Sequence, residues 1–199
     1  MQSGIISRIG RGKYRLGISK IFVPEVSSKM KTIFRKLKKE FPYIEVCIWN
    51  SSSINEFMVH QPGRFYLIVE VEKEADVSVF HFLKEFYQPI FFEPTNDLLN
   101  TFLPVDKEAV IIKPLVSESP VQNVDGIITI SIEKLLVDIF CDEVIFSAQQ
   151  GAEMRTIFND AHAKYSINQN RMLRYASRRG KKESFQKYLN TIQIYGSKS

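Results

Sequence analysis

Cysteine and histidine are scarce in this sequence: two and three residues in 199, and none of the five sit together. No Cys-x-x-Cys pair occurs, so a structural zinc site of the usual kind is excluded. Cys47 and Cys141 each lie inside an apolar segment, which suits buried thiols in a reducing compartment. Long hydrophobic runs are missing too. Phe65–Val69 and Ile127–Ile130 are of strand length, far short of a membrane span. Met1–Gly17 carries four cations and no long apolar core, unlike a secretion signal. These features predict a soluble, cytoplasmic chain without a membrane partner.

The sequence also lacks most signatures of catalysis. An acid–x–Lys triplet, which a restriction-type nuclease uses to hold Mg²⁺ and offset charge, occurs nowhere. Asp-x-Asp, the phosphate-binding glycine fingerprints and Gly-x-Ser-x-Gly are absent as well. In Glu70-Val71-Glu72-Lys73 both carboxylates fall on one strand face and Lys73 on the other. Glu70 and Glu72 therefore remain a candidate divalent site, weighed against a solvated strand edge or ion pairing with basic helices. Arg155 and His162 share a spacing with some helical ribonucleases, but Thr156 replaces the polar partner expected there. His60, His81 and His162 read as surface or half-buried residues, and Trp49 and Tyr66 as core aromatics. Neither cofactor nor metal is expected.

What is present is a core and an uneven charge. Hydrophobic residues make up 44% of the chain and charged ones 25%, enough for one sizeable core. The net charge of +5 divides into +9 over residues 1–40, −12 over 41–154 and +8 over 155–199. Either the basic ends pair with the acidic middle, or they form a footprint for phosphates.

Residues 4–9 and 13–16 read as a hairpin around Gly10-Arg11-Gly12. Met30, Ile33, Phe34, Leu37 and Phe41 mark a helix capped by Ser27 or Ser28 and ended by Pro42. Strands are expected at 44–49, 64–72, 88–92, 109–113 and 127–130. Helices are expected at 54–59 and 75–87, and residues 114–126 read as a long loop. After Ser131 the pattern turns helical, with further faces at 154–165, 168–176 and 185–192, and a stop at Gly180. The fold class is α+β: a small mixed β-sheet with covering helices, a helical C-terminal part and an N-terminal β-hairpin. The expected divisions are 1–18, 19–130 and 131–199, the last packed on the same core.

Two basic clusters are the nucleic-acid candidates. Arg8, Arg11, Lys13 and Arg15 gather at the hairpin tip, where glycine lets the backbone approach phosphate. Arg174 and Arg178 share a helical stripe with Arg171, and Arg179, Lys181 and Lys182 sit at the helix stop, where cations also suit the helix dipole.

Gly4-Ile5-Ile6-Ser7-Arg8-Ile9-Gly10-Arg11-Gly12-Lys13-Tyr14-Arg15-Leu16-Gly17 resembles the wing hairpin of the winged helix-turn-helix in AbiEi-like antitoxins. Thr129–Asp138 resembles the T-x-E-[KR]-x-L-x-D helix of their C-terminal domain. Cys47–Trp49, Asn55–Met58, Glu70–Lys73 and Leu173–Arg179 look like blocks of an uncharacterised bacterial subfamily of that group. The resemblance implies a non-catalytic antitoxin and transcriptional autoregulator of a type IV toxin–antitoxin or phage-defence operon. It also implies DNA as partner, and a nucleotidyltransferase-like toxin as functional partner without a need for direct binding. The helices that precede the wing in that family have no counterpart before Gly4. The expectation is that Met1 is an internal methionine of a longer protein, or that the module was lost. A wing without its recognition helix contacts phosphates and does not read bases. The alternatives are a divergent restriction-type nuclease using Glu70 and Glu72, and a pure protein-interaction module.

Overall fold

The Ser27 hydroxyl accepts the Met30 amide at 3.2 Å and starts the first helix, α1 (Ser28–Glu40). Its apolar stripe, Met30, Ile33, Phe34 and Leu37, is buried. Phe41 leaves helical geometry (φ −122°, ψ 75°), as the residue before Pro42 must. The computed structural model describes residues 20–58, 63–102 and 108–193, and the backbone of 5–10 and 13–17. That backbone forms an antiparallel hairpin, β1 (Ile5–Gly10) with β2 (Lys13–Gly17), its register shifting between Arg8 and Gly10.

Four strands build the main sheet in the order β3 (Val46–Asn50), β4 (Tyr66–Val71), β6 (Ala109–Pro114), β5 (Ile90–Phe92). β3 runs antiparallel to β4, while β6 is parallel to both β4 and β5. The central strands carry almost unbroken apolar runs, and Leu67–Val71 and Ala109–Ile112 are fully buried. Such runs belong to strands covered on both faces. α2 (Asp76–Lys84) links β4 to β5, and α3 (Asn96–Phe102) links β5 back to β6.

Three local expectations need correction. The helix placed at 54–59 is a 3₁₀ segment over Ser51–Phe57, started by the Asn50 side chain accepting the Ser52 amide at 2.8 Å. α3 was not foreseen, because its seven residues are too few to show a period. The long loop at 114–126 contains a strand. β7 (Val121–Val124) pairs antiparallel with β8 (Ile127–Ile130) around Asp125-Gly126. Both turn residues have positive φ, 52° and 80°, as a type I′ hairpin requires. The Asp-Gly pair was the available signal. Replacing Gly126 by alanine is expected to cost about 1–2 kcal/mol, because a Cβ disfavours this backbone region. Gly63→Ala, at an open site without positive φ, should be neutral by comparison. Equal urea midpoints for the two variants would contradict this.

α4 (Ile132–Cys141) begins at Ser131 and is buried on every side from Ile132 to Ile139. α5 (Ala152–Lys164), α6 (Gln169–Arg178) and α7 (Lys182–Gln193) follow. Apolar side chains from Phe22 to Ile192 join in one hydrophobic core. The fold is therefore α+β: a small mixed sheet with covering helices and a helical C-terminal part. Among the described residues, no helix is long and apolar enough to cross a membrane.

Candidate nucleic-acid interface

α6 is set by its ends. The Asn168 side chain accepts the Arg171 amide at 3.2 Å, and the Asn168 amide donates to Glu133 Oε1 at 3.1 Å. Met172, Tyr175 and Ala176 face the core, so Arg171, Arg174 and Arg178 face out. Gly180 (φ 67°) stops the helix, with its amide on the Ser177 carbonyl and the Lys181 amide on the Ala176 carbonyl. The chain turns at once into α7. A shallow surface depression crosses this turn, and its lining holds Lys181, Lys182 and Lys187 together with the acid Glu183.

The structure divides the predicted cations. Arg178 pairs with Glu118, and Arg171 lies 3.9 Å from Glu133. Arg179 turns inward and pairs with buried Asp138 at 2.7 Å, so it is a structural cation and not part of an open phosphate face. Among the described residues, no carboxylate lies within ion-pair distance of Arg174, Lys181, Lys182 or Lys187. All four are exposed. On α1, Lys29 reaches Glu108 at 2.7 Å and Lys31 reaches Asp125 at 3.2 Å. Pairing of the basic ends with the acidic middle is thus realised at several points, while the α6–α7 turn keeps a basic surface. Arg8, Lys13 and Arg15 lie on β1 and β2, opposite Tyr14, Gly10 and Ser7 in the register, and Arg11 lies outside the described residues.

Beneath the turn lies a charge cluster that the sequence reading missed. Lys134 is completely buried, and its ammonium donates to Glu70 Oε1 at 2.8 Å, Asp138 Oδ2 at 2.6 Å and the Tyr175 hydroxyl at 3.1 Å. Asp138 Oδ1 also accepts from the Tyr175 hydroxyl at 2.9 Å and from Arg179 Nη1 at 2.7 Å. The Trp49 indole donates to Glu70 Oε2 at 2.9 Å. Two carboxylates and two cations balance, as burial of charge demands. Burial works against the Lys134 ammonium, but Asp138 and Glu70 overcome it and hold its pKa well above the ordinary value. Burial likewise opposes the Asp138 carboxylate, yet the charges of Lys134 and Arg179 hold it below the usual range. Burial, reinforced by the Glu70 charge, pushes the neighbouring Cys47 thiol far up, and burial pushes Cys141 up to about 11. Neither cysteine is an activated nucleophile.

Glu70 is consequently not on a solvated strand edge. Both its oxygens are taken by Lys134 and Trp49, whereas Glu72 Oε1 accepts the Glu45 amide at 2.6 Å. The two glutamates serve separate partners. Among the described residues, no group of three or more metal-ligating side chains occurs. His81 and His162 are at the surface, and His162 Nδ1 donates to the Phe158 carbonyl within α5. The overlooked signal for the cluster was Lys134 and Asp138 at i and i+4 in a largely apolar helix, with Glu70 in the apolar run of a strand.

The site thus combines a buried, charge-balanced ionic centre with a basic surface at the turn between α6 and α7. The chain belongs to DUF6577, a family of unknown function whose model matches residues 1–195. No curated protein and no solved structure matches the chain.

Proposed function

We propose that this protein is a non-catalytic cytoplasmic regulator that contacts nucleic acid through phosphate. In this reading it is an antitoxin and transcriptional autoregulator of the AbiEi-like kind, with a nucleotidyltransferase-like toxin as functional partner. The supporting observation is the exposed set Arg174 on α6, Lys181 in the turn after Gly180, and Lys182 and Lys187 on α7. Guanidinium and ammonium groups spaced along a turn suit successive phosphates, and the serines beside them can donate to phosphate oxygens. Contacts of this kind supply affinity and a steep salt dependence with little sequence preference.

Fluorescence anisotropy with the protein's own promoter duplex and a scrambled duplex, across a salt series, tests the reading. Both duplexes are expected to bind at low salt with similar affinity. The triple variant Arg174→Gln, Lys181→Gln, Lys182→Gln should flatten the slope of log K against log salt by about 3, one per lost phosphate contact. Absence of binding at low salt, or an unchanged slope in the triple variant, would overturn it. The ion pairs Lys29–Glu108, Lys31–Asp125 and Arg178–Glu118 favour a second reading, a protein-interaction module whose basic segments serve the fold. In that case neither duplex binds.

A further inference from the structure

Glu118 stands in the segment between β6 and β7 with φ 58°, a left-handed backbone that glycine or asparagine adopts more easily than glutamate. The segment around it is tied down. The Ser119 amide and hydroxyl both donate to the Val116 carbonyl, at 3.2 and 2.6 Å, and the Ser131 amide donates to the Pro120 carbonyl at 3.3 Å. The Glu118 carboxylate meets the Arg178 guanidinium, 60 residues away in sequence. That hydrogen bond first, and then the charges of Arg178 and Arg174, hold the Glu118 carboxyl below its usual range. Side chains of both partners remain about half open to solvent, so the pair is of the weak, separable kind.

A carboxylate and a phosphate offer a guanidinium the same two-oxygen edge. We infer that Glu118 is a built-in competitor for phosphate: it covers Arg178 at one end of the basic face and must swing away when nucleic acid binds. This inference rests on the nucleic-acid reading above. It assigns that surface two parts, an open one at Lys181, Lys182 and Lys187 and a guarded one at Arg178. A single small anion gains too little to displace a tethered carboxylate. A polyanion already held by the open lysines presents the next phosphate at high local concentration and can displace it. The guard therefore favours long nucleic acid over free phosphate or mononucleotides.

The experiment compares wild type, Glu118→Gln, Glu118→Gly and Asp97→Asn in the duplex anisotropy assay across the salt series. Glu118→Gly removes the carboxylate and suits the backbone, which covers the case in which Glu118→Gln distorts the segment. Asp97, an exposed acid on α3, controls for net charge. Both Glu118 variants are expected to bind duplex roughly three- to ten-fold more tightly at low salt, with about the same slope, because Arg178 meets a phosphate in every complex and only the competition is removed. Asp97→Asn should change affinity less than about two-fold and leave the slope alone. If wild type binds and the Glu118 variants match it in affinity, or if Asp97→Asn reproduces their gain, the guard is overturned while the nucleic-acid reading stands. If wild type and all variants fail to bind, both fall.

Discussion

Lys134→Met is expected to lower the unfolding free energy by about 3–5 kcal/mol, the range for removing one partner from a buried ion pair. Methionine fills much of the space of the lysine stem but leaves Glu70 and Asp138 buried with only Arg179 as a compensating cation. The loss comes from the carboxylates left behind, not from lost packing. Urea unfolding followed by fluorescence suits the measurement, because Trp49 is the single tryptophan and its indole donates to Glu70. A loss below about 1 kcal/mol would mean that water or a rearranged side chain reaches the carboxylates. The pH dependence has a definite sign. Lys134 is held above its ordinary value of 10.5 in the folded protein. Its contribution is fully present below that value and is lost as pH rises through the folded pKa. Wild type should therefore lose stability on the alkaline side faster than Lys134→Met.

Asp138→Ala is expected to cost a similar amount, about 3–5 kcal/mol, because Asp138 is the hub of the cluster. It accepts from Lys134, Tyr175 and Arg179. Its removal strands the Arg179 guanidinium at the end of α6 and leaves the Lys134 ammonium with Glu70 as its one carboxylate partner. The double variant Lys134→Met, Asp138→Ala should cost clearly less than the two single losses added together, since each single change exposes the other's charge. Strict additivity would show that the two side chains do not act as a unit. On the acid side the sign reverses. Asp138 is held below its ordinary value of 3.8, so its contribution is present above that value and fades as pH falls through the folded pKa. Asp138→Ala should flatten the fall of stability below about pH 4. Arg179 also anchors the turn that carries Lys181 and Lys182, so the variant loosens that turn.

The ion cluster ties four parts of the chain together: β3 through Trp49, β4 through Glu70, α4 through Lys134 and Asp138, and the end of α6 through Tyr175 and Arg179. Such a network costs desolvation energy that an apolar core would not. It also fixes direction in a way that apolar packing does not, since each oxygen has one donor to meet. The α6–α7 surface is thereby held at a set place against α4.

Helix starts were legible in the sequence because capping is local. Ser27, Ser131 and Asn168 each accept an amide three residues on, and Gly180 stops α6 with its own backbone. The central strands were legible from their apolar runs, and the α+β class followed from the order of strands and helices. The candidate surface was partly legible. The run from Arg174 to Lys182 showed a basic helix end, but sequence alone named no partner for Arg178, Arg179, Lys181 or Lys182. Packing separated them: Arg179 went to Asp138, Arg178 to Glu118, and the two lysines to solvent. The same holds for Glu70, whose strand pattern placed it beside Glu72 but said nothing of Lys134, 64 residues away. Caps, stops and periods depend on hydrogen bonds within a few residues, so neighbouring letters determine them. Which charge meets which depends on how distant elements pack, because desolvation in the core makes each buried charge find its partner there.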